Sequence, residues 1–242
     1  RRQRQMCIRD SYTTMYLIEG EDKAVLIDTG TRCADLDKIV GQITGKPLEV
    51  IVTHMHPDHA GCIKYFDKVW MHRADTVLVP QHAADYQGEF LYMEEGQVFD
   101  LGGRKLEVAW MPGHTPGSVV LLDKANGDCY SGDAFGSGEV WLQCVPMSPI
   151  ATFHESCCRM EKLMKEGHIK DIWCGHYPYL KSSLPLAYIQ TMIRISHRLM
   201  NGDQEGSEPY SNYFIKMPPT ARKLAEGRAM IVYDSTNIPE AR

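Results

Sequence analysis

The sequence lacks the features that mark several classes of protein. It has no apolar run near the roughly 18 residues of a membrane span and no apolar signal-peptide core near its start. Its formal charge of -5 is the opposite of the basic excess that nucleic-acid-binding proteins usually show. We therefore expect a cytoplasmic protein with no nucleic-acid or membrane partner. A signal removed before residue 1 would leave no trace in this sequence.

The cysteines form no recognisable framework. The chain has 8 of them without a Cys-x-x-Cys pair, which excludes a thiolate zinc knuckle and argues against a disulfide scaffold. We expect most of them to be small buried hydrophobes in a reducing compartment. Cys62 follows closely on a histidine cluster and is a candidate neighbour of that site.

The remaining composition indicates one layered domain over residues 1–242. Hydrophobic residues make up 43% of the chain, which supports a substantial core. Short apolar runs bounded by Gly and Pro predict strands at 16–18, 24–27, 50–52, 68–71, 106–111, 127–130 and 169–173. Helices predicted at 35–43 and 154–165 would cover the faces of the sheets, which gives an α/β architecture.

A dense cluster of potential metal ligands occupies residues 53–61, THMHPDHAG. His54 and His56 leave an extended backbone on the same side, so both can reach one ion. The proline that follows suits the first turn of a helix, from which Asp58 and His59 project in another direction. Because these ligands point in two different directions, the segment predicts two metal ions. Later strand ends supply three more candidate ligands: His114, Asp133 and His176.

The motifs together resemble the metallo-β-lactamase superfamily of metal-dependent hydrolases, in its glyoxalase II and lactonase-like branches. They are DTG, THMHPDHAG, PGHTPGS at 112–118, SGD at 131–133 and CGH at 174–176, in that order. The resemblance implies a four-layer αββα sandwich with the site at one edge of its two sheets. It places one metal on His54, His56 and His114. It places the second on Asp58, His59 and His176, with Asp133 bridging.

With two bound cations we expect hydrolysis by a metal-bridging hydroxide. Coordination lowers the pKa of water to about 7, so the hydroxide exists near neutral pH and can act as the nucleophile. Asp58 would orient this nucleophile and move its proton. The expected substrate is a small-molecule carboxylic ester, thioester, lactone or lactam. The alternatives are a phosphodiester or phosphorylcholine-type ester hydrolase, a flavodiiron-like redox protein and a non-catalytic metal-binding protein. Zinc is the expected metal, with iron or manganese as alternatives.

Other residues have supporting roles in this interpretation, which leaves the oligomeric state open. We expect Asp28 to hold ligands or loop backbone rather than a metal. An insertion at 135–160 would shape the pocket, with Phe135 and Trp141 in a lid over an apolar substrate. Tyr177 is a candidate donor to a developing oxyanion. A helix-plus-strand extension is expected at 185–242, and the histidines outside the motifs, including His82, are read as surface or core residues.

Overall fold

The computed structural model describes residues 4–7, 13–212 and 216–239. In chain order its strands are β1 Arg4–Cys7, β2 Thr14–Glu19, β3 Ala24–Ile27, β4 Leu48–Ile51, β5 Lys68–His72, β6 Glu89–Met93, β7 Val98–Asp100, β8 Lys105–Trp110, β9 Val119–Asp123, β10 Asp128–Gly132, β11 Glu139–Trp141, β12 Asp171–Cys174, β13 Glu208–Pro209, β14 Ala221–Glu226 and β15 Ala229–Asp234. The α-helices are α1 Leu36–Ile43, α2 Pro57–Ala60, α3 Val79–His82, α4 Ile150–Lys165, α5 Tyr177–Leu180 and α6 Leu186–Met200. Within the described ranges, no helix is both long enough and apolar enough to cross a bilayer.

Two sheets face each other at the centre of the fold. The first has the order β1-β2-β3-β4-β5-β6 and the second β12-β10-β9-β8-β7. Along β2, Tyr16 and Ile18 point into the core between the sheets, whereas Met15 and Leu17 join the cluster that contains α1. This alternation follows from the two-residue period of a strand, and it requires apolar residues on both faces.

Helices cover the outer faces of both sheets. Leu36 and Val40, four residues apart on α1, pack on the first sheet. The buried faces of α4 and α6 pack with β8, β9 and β10 in a second large cluster, in which Phe153 and Met192 are 0% exposed. The four layers confirm the αββα fold predicted from the sequence.

A third sheet extends the fold, with the order β11-β15-β14-β13. The sequence predicted a lid at 135–160, but residues 139–141 form a strand that runs parallel to β15, and the rest of that range includes the first two thirds of α4. Phe135, expected to line a pocket, is 0% exposed and packs in the core that α4 and α6 share. Its burial corrects that expectation, because a side chain enclosed by the core has no face toward a substrate.

Two contacts tie the central sheets together at one edge. The Tyr16 hydroxyl donates to the carbonyl of Cys174 at the end of β12, at 2.8 Å. The Thr14 amide donates to the carbonyl of Gly175, at 2.6 Å. The loops after β3, β4, β10 and β12 meet at this edge, and they carry most of the predicted site.

Candidate metal centre

Three histidines from two loops form what we term the first ligand group. His54 and His56 lie between β4 and α2, and His114 lies in the loop after β8. One nitrogen of each ring lies within 4.8 Å of a nitrogen of the other two, and His56 Nδ1 is 2.9 Å from His114 Nε2. The ring planes cross at 82°, 78° and 85°. Rings that converge from different directions can direct their lone pairs at one cation.

Four side chains beside them form the second ligand group. Asp58 and His59 lie on α2, Asp133 follows β10 and His176 follows β12, and their ligand atoms also lie within 4.8 Å of one another. His176 Nε2 is 3.0 Å from Asp133 Oδ2 and 3.3 Å from Asp58 Oδ2. The rings of His54 and His59 have centroids 4.2 Å apart, so the two groups adjoin.

Burial keeps the first ligand group neutral. Burial, followed by the positive charge of His59, holds the pKa of His54 well below its usual 6.5. Burial and the neighbouring His114 lower the pKa of His56 to about 3, and burial also lowers the pKa of His114. The three imidazoles are therefore unprotonated at neutral pH, which is the form that binds a metal ion.

The second ligand group has the opposite electrostatics. Burial opposes charge on His176, but the Asp133 and Asp58 carboxylates together outweigh it and raise the pKa of His176 to about 10. Burial also opposes charge on His59, but the Asp28, Asp133 and Asp58 carboxylates together outweigh it, so the pKa of His59 rises. His176 and His59 in turn outweigh the burial of Asp133 and hold the pKa of that carboxyl well below its ordinary range. Protons on His59 and His176 therefore offset the negative charge of the carboxylates, and a bound cation can offset the same charge.

The residues of both groups fit divalent metal ions. Four of their buried atoms have no hydrogen-bond partner: His54 Nε2, His59 Nε2, His176 Nδ1 and Asp133 Oδ1. Such atoms are rare in folded proteins and call for a specific partner. A Cβ at Gly175 would lie 2.5 Å from both Asp133 Oδ1 and His59 Cε1, so a larger residue would fill the cradle. Imidazole and carboxylate ligands suit zinc, iron and manganese.

Asp28 holds the second ligand group from behind. The residue has a left-handed backbone with φ of 61°, which turns the chain sharply at the end of β3. The Thr53 amide donates to Asp28 Oδ1 at 2.7 Å, and His59 Nδ1 donates to Asp28 Oδ2 at 2.7 Å. This contact directs His59 Nε2 toward the cluster. Asp28 itself belongs to neither ligand group among the described residues, and its position suits the supporting role expected of it.

Three other candidate residues lie near the ligand groups without joining them. The Cys62 thiol is buried and accepts a hydrogen bond from the Cys33 amide at 3.2 Å. The carbonyl of Trp141 accepts from His114 Nδ1 at 2.8 Å, so its contact with the first ligand group is through the main chain. Tyr177 packs against the core at the start of α5. In the described part of the chain, neither ligand group contains a cysteine.

The sequence did not single out His82 as part of the site. Its ring lies 5.9 Å from the ring of His56, and it is half-buried at the end of α3. The residue belongs to no motif and follows β5 by ten positions, so only the path of the intervening helices brings it to the first ligand group. Only the three-dimensional structure therefore identifies His82 as a neighbour of the first ligand group, because no local sequence pattern indicates it.

The fold and the paired ligand groups together define an αββα metal-dependent hydrolase. The model of the "Metallo-beta-lactamase superfamily" matches residues 8–154, which is more than half of the chain. The chain belongs to the metallo-β-lactamase superfamily. This confirms the family predicted from the sequence motifs.

Curated relatives are similar over two thirds or more of the chain. The "Acyl-coenzyme A thioesterase MBLAC2" of Homo sapiens is 26% identical over 202 residues, which cover 67% of this chain and 72% of that protein. A "Hydroxyacylglutathione hydrolase" of Aeromonas salmonicida is 27% identical over 184 residues, covering 74% of this chain and 65% of that protein.

Solved structures share the fold. TTHA1623 in a di-iron-bound form has a TM-score of 0.61 and 26% identity, with 76% of this chain and 95% of that chain covered. The metallo-β-lactamase family protein TTHA1429 from Thermus thermophilus has a TM-score of 0.65 and 19% identity, with coverage of 86% and 83%. At 19% identity the second likeness concerns the fold alone.

Proposed function

We propose that the chain is a dinuclear metal-dependent hydrolase of small-molecule carboxylic thioesters. The observation that carries the proposal is the adjoining pair of ligand groups, each able to hold one cation, with Asp133 as the candidate bridge. Zinc is the metal we propose, and the di-iron form of TTHA1623 makes iron the first alternative. The thioester class is supported by two relatives whose names describe the hydrolysis of acyl-coenzyme A and of hydroxyacylglutathione.

The chemistry divides between the metals and the chain. Bound divalent ions supply Lewis acidity, which lowers the pKa of a coordinated water and polarises the carbonyl oxygen of an ester-like bond. The first ligand group contributes neutral imidazoles held by burial. The second contributes carboxylates, which offset the charge of the cations.

Asp58 is the acid–base residue in this proposal. Its side chain is 34% exposed, the most open of the second ligand group, so its oxygens are accessible to water. Burial favours the neutral carboxyl, but His59 and the hydrogen bond from His176 outweigh it and hold the pKa of Asp58 below its usual value. The carboxylate is thus ionised at neutral pH and can take the proton of the attacking water. Attack of the water oxygen at the carbonyl carbon would form a C–O bond as the C–S bond breaks, and the proton held by Asp58 would pass to the leaving sulfur, which yields a carboxylic acid and a thiol.

A substrate panel tests this function. Purified protein loaded with zinc is offered an acyl-coenzyme A, an S-acylglutathione, an oxygen ester, a lactone and a phosphodiester, and release of thiol or alcohol is measured. We expect turnover of the thioesters, with kcat reduced about 100-fold or more in Asp58→Asn. Asp37→Asn, an exposed change on α1, is the matched control and should keep parent activity. Cleavage of the phosphodiester without the thioesters would overturn the proposal in favour of the phosphoester alternative.

A further inference from the structure

A buried aspartate outside the sequence motifs links the two loops that carry the first ligand group. Asp75 lies in the 3-10 helix Arg73–Leu78 after β5, and it is 0% exposed. Its Oδ2 accepts hydrogen bonds from the Met55 amide at 3.0 Å and from the Thr115 hydroxyl at 2.9 Å. Its Oδ1 accepts from the Gly117 amide at 2.6 Å. One carboxylate therefore contacts both loops.

The partners of Asp75 are adjacent to the ligands in sequence. Met55 stands between His54 and His56, and Thr115 follows His114 directly. A shift of the carboxylate would therefore move the backbone of both loops and change the separation of their imidazoles. The loop at Gly117 also fits closely, since a Cβ there would lie 2.6 Å from Asp75 Cγ.

The electrostatic cost of this arrangement argues against simple core filling. The donors to Asp75 from the Met55 amide, the Thr115 hydroxyl and the Gly117 amide are neutral groups, and burial raises the pKa of its carboxyl. A buried carboxyl group with neutral partners costs more free energy than an apolar side chain of similar size. The hydrogen bonds to Asp75 instead fix the geometry of the two loops, because three donors converge on two carboxyl oxygens only when the loops keep one relative position.

We propose that Asp75 is a positioning residue that sets the geometry of the first ligand group and thereby its affinity for metal. This inference rests on the proposed function, which requires metal at that group. Asp75 touches no reacting atom in this account. It acts through the backbone of the two loops, as outer contacts of metal ligands do.

The test compares Asp75→Asn with a matched buried carboxylate. Asp123 is also 0% exposed, and its carboxylate accepts from the Arg104 guanidinium at 2.6 Å, away from both ligand groups. Metal-free parent, Asp75→Asn and Asp123→Asn are titrated with Zn²⁺ against a chromophoric chelator, and each melting temperature is recorded. We expect Asp75→Asn to bind zinc about tenfold or more weakly than the parent. Asp123→Asn should lose thermal stability but keep the affinity of the parent.

A second variant covers the case in which Asp75→Asn does not fold. Thr115→Val removes one donor to Asp75 and keeps the shape of the side chain, and we expect it to weaken zinc binding in the same direction. Parent affinity in a folded Asp75→Asn, or in Thr115→Val when that is the variant that folds, would overturn the role of Asp75. The titrations are repeated with Fe²⁺ if the parent binds no Zn²⁺, and a parent chain that binds neither ion would overturn the proposed function together with this inference.

Discussion

Asp28 Oδ2 lies 2.7 Å from His59 Nδ1, and the two side chains are 1% and 0% exposed. The same carboxylate accepts from the Thr53 amide, so it joins the ends of β3 and β4 to the second ligand group. The contact leaves His59 with one free nitrogen, Nε2, which has no hydrogen-bond partner. The orientation of a metal ligand thus depends on a residue that belongs to neither ligand group.

Replacing Asp28 with Asn should weaken metal binding about 10- to 100-fold, because the amide nitrogen would face the His59 donor and disturb its orientation. Zinc affinity measured by chelator competition is the readout. Asp128→Asn is the matched control. Asp128 is the first residue of β10, at the end opposite the candidate ligand Asp133, and it accepts a hydrogen bond from the Trp173 indole at 3.0 Å. Equal zinc affinity in Asp28→Asn and the parent would contradict this role.

Gly175→Ala should impair metal binding through a steric clash alone. The added methyl would lie 2.5 Å from Asp133 Oδ1 and His59 Cε1, so one of these groups must move. We expect less metal per chain and a large loss of activity, measured by elemental analysis and turnover. Gly45→Ala is the control, because a Cβ there meets nothing within 4 Å. Full metal content in Gly175→Ala would show that the cradle tolerates a side chain and is not shaped for a cation.

The variant Phe135→Ala distinguishes a core-packing role of this side chain from a role in a lid over the substrate. The ring is 0% exposed in the cluster of α4 and α6, so its loss should cost about 3–5 kcal/mol of unfolding free energy. Denaturant unfolding measures that cost, and KM of the folded variant should stay close to the parent value. A raised KM with unchanged stability would instead favour the pocket-lining role expected from the sequence.

The pair Arg198–Asp203 should give a small pH-dependent stability at the end of α6. The hydrogen bond from Arg198 lowers the pKa of Asp203 from 3.8 to about 2. The folded pKa is depressed, so the stabilisation is present above pH 3.8 and is lost as the pH falls toward 2. Melting temperatures of the parent and Asp203→Asn should therefore differ at pH 7 and converge near pH 2. A difference that persists undiminished at pH 2 would rule out this ion pair as its source.

The convergence of the two ligand groups could be predicted from the sequence where the signals are local. His54, His56, Asp58 and His59 fall within six positions, and His114, Asp133 and His176 stand at strand ends bounded by glycine, so their convergence could be inferred. Asp75 could not be found this way, because two of its three partners are backbone amides, which leave no mark in the sequence.

A strand was expected in the extension at 185–242, but its pairing with β11 in a third sheet escaped prediction for a similar reason. The strand β11 has three residues, and its partner β15 begins 90 positions later, at Ala229. A three-residue segment that directly follows Gly136 and Gly138 indicates a loop when it is read locally. Its pairing depends on α4 and α6, which bring the C-terminal hairpin against it.

The most direct test of the account is the rate of thiol release from an acyl-coenzyme A as metal-free protein is titrated with Zn²⁺, with Fe²⁺ and Mn²⁺ in parallel. For a dinuclear hydrolase we expect that no thiol is released without metal and that the rate saturates at two equivalents per chain, one for each ligand group. Full activity in the metal-free protein, or no activity at any metal content, would contradict it.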